Sequence, residues 1–180
     1  IVVRGQGATA GGVGQTVVAG SGVRVVGGSL ETGSGSISMD GRGGLAQTGV
    51  TITGLIGEAV TTPSSLRSAR GDITLVGSTR TWAAGETSGT LQNVGGGSGV
   101  ELGQTNIATG GNVRLDGSGA DLTGLMNQAA FRAAAAAANN GAGSTFGASN
   151  GITMSDSNIL VGVGKSIELM GTGGSRGFSV

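Results

Sequence analysis

The sequence predicts an all-β fold, a right-handed parallel β-helix carrying one inserted α-helix, and three observations lead to it. First, the chain repeats: GVELGQTNIATGGNVRLDGSG, from Gly99 to Gly119, lays over GVRVVGGSLETGSGSISMDGRGG from Gly22, GITMSDSNILVGVGKSIELMGTGG from Gly151 and, more loosely, GVTIT with GDITLVGS from Gly49. Second, apolar and polar residues alternate in short runs within each unit, the period of a half-buried strand. Third, glycines separate the runs. Of 180 residues 41 are glycine and only Pro63 is proline, so the runs end in tight or left-handed turns that bulky residues resist.

Each unit reads as three strands. In the first, the apolar columns hold Val23 and Val25, Val50 and Ile52, Val100 and Leu102, Ile152 and Met154. In the third they hold Ile37 and Met39, Ile73 and Leu75, Val113 and Leu115, Ile167 and Leu169. The middle strand has a single apolar column of Leu30, Ile107 and Ile159; the second unit has Gly57 at that place, and Ile56 is expected to fill it. Three strands that each bury one side make a coil, and one coil cannot cover its own apolar face. Stacking coils with strands in register, about 4.8 Å apart, does cover it. The LxxLxL and hexad patterns of other short-repeat solenoids are absent.

Composition bounds the rest. At 180 residues the chain is long enough for one domain with its own core. Glycine enrichment with neither a third-residue period nor proline is not collagen, and the alternating aliphatics argue against disorder. Ten Lys and Arg balance ten Asp and Glu, so the electrostatic footprint of nucleic-acid binding is missing and no such partner is expected. The longest apolar tract, AAFRAAAAAA around Phe131 and Arg132, is too short and too interrupted to span a bilayer, so no membrane insertion is expected. The opening IVVRGQG matches a third strand and the last four residues match a first strand. Residues 1–180 are therefore expected to be a single β-solenoid segment of a longer protein.

Unit starts at Gly22, Gly49, Gly99, Gly151 and Gly177 leave two long intervals. These place insertions at about 55–70, 78–98 and 120–150. The second contains Trp82 and a further strand candidate, TLQNV, at 90–94. The third contains a helix over about 121–138: Asp121 as N-cap, Leu122, Leu125 and Met126 on one face, and Asn139, Asn140 and Gly141 as the stop. That helix is expected to lie against the solenoid's flank. Phe131, Arg132 and Trp82 are of the types that dominate interfaces and are the candidate partner contacts.

The residues that carry most enzyme chemistry are missing. With no histidine and no cysteine, the common nucleophile–base pairs and zinc sites cannot be assembled, so no catalytic, cofactor-binding or metal residues and no cofactor are expected. Asp40 and Asp116 share a column with a coil carrying Val76 between them, which puts the carboxylates about 9 to 10 Å apart, within the range of an inverting glycosidase. A solvated position before a corner glycine explains the same pattern. Gly5, Gly7 and Ala10 fit a GxGxxA fingerprint but no helix follows for a pyrophosphate to cap. GVGKS at 162–166 reads as a turn, with Lys165 placed opposite Ser36 and Asn112. Arg70, Gly71 and Asp72 spell RGD, an adhesive tripeptide that here coincides with the repeat's own turn glycine. Among the outward columns, Arg114 faces Glu168 as an exposed ion pair and Asn106 faces Asn158 as an amide ladder.

GDITLVGS, GGNVRLDGSG and SNGITMSDSNILVGVGKSIELMGTGG resemble the repeats of filamentous-haemagglutinin-like exoproteins of the two-partner secretion pathway and of related giant β-helical adhesins. The resemblance covers about four units, most of the chain outside the insertions. It implies export through an outer-membrane transporter, folding outside the cell, and a part in adhesion, biofilm formation or contact-dependent delivery. Neither the secretion domain nor a toxin domain of that family is visible in the sequence, and the helical insertion departs from a plain stalk.

The expected function is a structural stalk or filament segment of a secreted or cell-surface bacterial adhesin, with no enzyme activity. Its partners would be the flanking repeats, laterally associated copies, or a host or neighbouring cell surface. The alternative is a binding module that uses the helical insertion or the RGD-bearing turn; a polysaccharide-acting β-helix enzyme is the third.

Overall fold

In the computed structural model, the described residues are 1–7, 20–45, 47–56, 61–80, 97–120, 149–173 and 176–179. They form an all-β structure built mainly of parallel sheets. No helix occurs among the described residues, and the helix expected over 121–138 lies outside them, as does the strand expected at 90–94.

Among the described residues sixteen strands follow one another: β1 Val2–Gln6, β2 Val23–Val26, β3 Ser29–Thr32, β4 Ile37–Leu45, β5 Val50–Thr53, β6 Leu55–Ile56, β7 Thr61–Thr62, β8 Ser64–Ser68, β9 Ile73–Arg80, β10 Val100–Gly103, β11 Thr105–Thr109, β12 Val113–Ser118, β13 Asn150–Ser155, β14 Asn158–Val161, β15 Ile167–Thr172 and β16 Arg176–Ser179. The chain visits three parallel sheets in a constant rotation. An opening sheet runs β2-β5-β10-β13-β16, a middle sheet β3-β8-β11-β14, and a closing sheet β1-β4-β9-β12-β15. Within these three sheets every strand neighbours its equivalent from the adjacent repeat, which is why residues at one position of the unit form columns.

Those columns are the ones the alternation predicts. Val23, Val50, Val100 and Ile152 are in register in the opening sheet. Ile37, Ile73, Val113 and Ile167 are in register in the closing sheet, as are Met39, Leu75, Leu115 and Leu169. One apolar cluster gathers side chains from all three sheets, among them Ile52, Leu66, Leu75, Ile107 and Leu115, all essentially inaccessible to water. At about 1.5 to 3 kcal/mol for each fully buried aliphatic side chain, this cluster is the main stabilising term. At the end of the stack formed by β14 and β15, the same columns emerge: Ile167 is 44% and Leu169 39% exposed.

Two sequence expectations are corrected. The middle column in the second repeat is filled by Leu66, which pairs in register with Leu30 and Ile107. Ile56 instead lies in a two-stranded antiparallel hairpin of β6 with β7 and is 74% exposed. Within the stretch 55–70, the hairpin is thus the departure from the repeat and β8 is part of it. The partner of Asn112 in the next repeat is Ser166, not Lys165, because Val113 registers with Ile167. Lys165 N donates to Gly162 O at 3.0 Å, so GVGKS is a turn, as expected.

The corners have specific chemistry. After the opening strands the backbone turns through the left-handed region at Gly27, Gln104 and Asp156 (φ 58°, 50° and 47°). Where the closing strand gives way to the next opening strand, two backbones touch: a Cβ on Gly77 would sit 1.9 Å from Gly99 O, and one on Gly117 would sit 2.0 Å from Gly151 O. Only glycine permits that approach. Gly5, Gly41, Gly77, Gly117 and Gly171 consequently form one in-register column.

Candidate functional site

The Arg70-Gly71-Asp72 tripeptide lies between β8 and β9, at the corner from the middle to the closing sheet. Arg70 and Asp72 are exposed. The corner is held by a run of hydrogen bonds from one repeat to the next. Asp72 N donates to Ser36 Oγ at 3.1 Å, Asn112 N and Nδ2 donate to Asp72 Oδ1 at 2.7 and 3.2 Å, and Ser166 N and Oγ donate to Asn112 Oδ1 at 3.0 and 3.2 Å. Ser36, Asp72, Asn112 and Ser166 thus occupy one structural position, immediately before the first inward aliphatic of each closing strand. Gly71 N donates to Ser68 Oγ at 2.8 Å, and Gly71 O accepts from Thr109 Oγ1. Asp72 therefore has a structural duty whatever else it does, while Arg70 has no ion-pair partner among the described residues.

Beside this corner, an open groove of about 580 Å³ crosses the outer side of the middle sheet, lined by Glu31, Thr32, Arg67, Ala108, Leu160 and Val161 among others. It spans β3, β8, β11 and β14, three strand spacings or about 14 Å. One end is charged, with Glu31 registered on Arg67, and the other is apolar, with Ala108 registered on Leu160.

On the outer side of the closing sheet, Arg114 bridges Asp116 of its own strand at 3.0 Å and Glu168 of the next repeat at 3.1 Å. The hydrogen bond that Arg114 donates to Asp116, opposed by partial desolvation and helped by the charges of Glu168 and Asp116, raises the guanidinium pKa above its ordinary value. Asp40, Val76 and Asp116 follow one another in register, so the two carboxylates are two strand spacings apart with Val76 between them. A shallow depression of about 380 Å³ next to Asp40 is lined by Arg4, Gly5, Gln6 and Arg42. Asn158 Nδ2 donates to Asn106 Oδ1 at 3.2 Å, the amide ladder that the shared column predicts.

Among the described residues, no three His, Cys, Asp or Glu side chains come together as a metal centre, and no helix is long and apolar enough to cross a membrane. Trp82, Phe131 and Arg132 lie outside the described residues. Sequence reasoning missed two features. The corner hydrogen-bond run left a trace only as small polar residues before the third strand. The exposure of the apolar side chains of Val26, Leu55 and Ile56 was hidden because Ile56 sits beside the place where the repeat wants an inward residue.

No protein family, curated protein or solved structure matches this chain.

Proposed function

We propose that the chain is a stretch of right-handed parallel β-helix serving as a structural stalk or filament segment of a secreted or cell-surface bacterial adhesin. The observation that carries this reading is the in-register pairing of the three parallel sheets, shifted only near Gly43 and Leu45 where β4 meets β9 among the described residues, in which the same aliphatic positions recur from repeat to repeat. Such stacking contacts only nearest neighbours and extends in one dimension, which suits a spacer better than a cleft. Its outer faces are mixed and weakly charged, and the resemblance of the repeats to filamentous-haemagglutinin-like exoproteins supports an extracellular location after passage through an outer-membrane transporter. The partners on this reading are the flanking repeats and, at the filament tip or side, another surface.

Small-angle scattering of the purified segment tests the shape. A rod with a constant cross-section and a length growing by about 4.8 Å per added repeat supports the stalk; a globular profile overturns it. Surface labelling of cells making the parent protein tests the location, and labelling confined to permeabilised cells would contradict it.

A second reading is favoured by the exposure of Arg70 and Asp72 at one corner: the RGD turn acts as an adhesion site. Attachment of integrin-bearing cells to the immobilised segment, lost in Arg70→Ala, is the expected result. Attachment that is absent, or equal in the variant, removes this reading.

A further inference from the structure

We draw no further inference here: the strongest candidate, the open end of the stack where β14 and β15 leave Ile159, Ile167 and Leu169 incompletely covered, is an unpartnered apolar face, and because the opening and closing sheets have five strands and the middle sheet four, a second copy stacked on it in register would leave the middle sheet one strand short, so nothing in the structure shows what covers it.

Discussion

Asp72 Oδ1 accepts the backbone N–H of Asn112 at 2.7 Å, from the equivalent position one repeat further on. The carboxylate that completes the RGD tripeptide is therefore also a rung of the corner ladder. Structure and the proposed adhesion would make separable demands on it. The ladder needs an acceptor oxygen, which an amide also supplies; recognition of an acidic side chain needs the charge.

Asp72→Ala should lower unfolding free energy by about 1 kcal/mol, the net worth of a typical hydrogen bond. Asp72→Asn should stay within about 0.5 kcal/mol of the parent. Urea unfolding followed by circular dichroism checks both. If Asp72→Asn keeps stability but abolishes cell attachment, the carboxylate has a recognition role; equal loss of stability in the two variants would refute the ladder.

Leu66 and Ile56 offer a paired test of the core. Leu66 is fully buried between Leu30 and Ile107, and Ile56 is mostly in water. Leu66→Ala should cost about 2 to 5 kcal/mol through lost transfer energy and the cavity left behind, and Ile56→Ala about 0.5 kcal/mol or less. Ile107→Asp, which places an unpaired carboxylate in the same column, should cost several kcal/mol. Thermal unfolding that ranks Ile56→Ala as the most damaging would show the register of the second repeat to be wrong.

Gln104 occupies the left-handed region at φ 50°, where its equivalent in the first repeat is Gly27. A Cβ in that conformation costs on the order of 1 kcal/mol, and Gln104 Oε1 is buried without a hydrogen-bond partner. Gln104→Asn, a residue that tolerates this conformation, should raise stability by about 0.5 to 1 kcal/mol. The check is a higher urea midpoint at unchanged slope, and an unchanged or lower midpoint would count against the strain.

Two glycines should respond oppositely to a methyl group. At Gly77 an added Cβ would lie 1.9 Å from Gly99 O, whereas at Gly33 it would meet nothing within 4 Å. Gly77→Ala should destabilise by about 3 kcal/mol or more, since backbone on both sides must shift. Gly33→Ala should change stability by less than about 1 kcal/mol, with the smaller unfolded-chain entropy favouring the folded side. Melting temperatures of the two variants within a degree of each other would contradict the close crossing.

Local alternation in the sequence determined which side chains point inward in the opening and closing strands, because a strand's period of two is set by its own backbone. Val100 and Leu102, and Val113 and Leu115, follow from it, whereas the Asn106–Asn158 and Arg114–Glu168 neighbours come from matching the repeats strand by strand. The corners were decided only by tertiary structure. Three residues separate Thr109 from Val113, but five separate Val161 from Ile167, and the two turns still deliver their strands into register. Counting on from the Thr109–Val161 pair would set Gly164 opposite Asn112, and the repeat comparison sets Lys165 there, while the stack pairs Asn112 with Ser166. The same holds in the second repeat, where an eight-residue excursion through the β6–β7 hairpin, 55–62, lets Leu66 rather than Ile56 reach the core. Sequence periodicity is blind to turn length, whereas inter-strand hydrogen bonds and the burial of one aliphatic column enforce register whatever the turn spends in residues. The hydrogen bond from Asn112 to Asp72, 40 residues apart in the chain, exists only because that register is met.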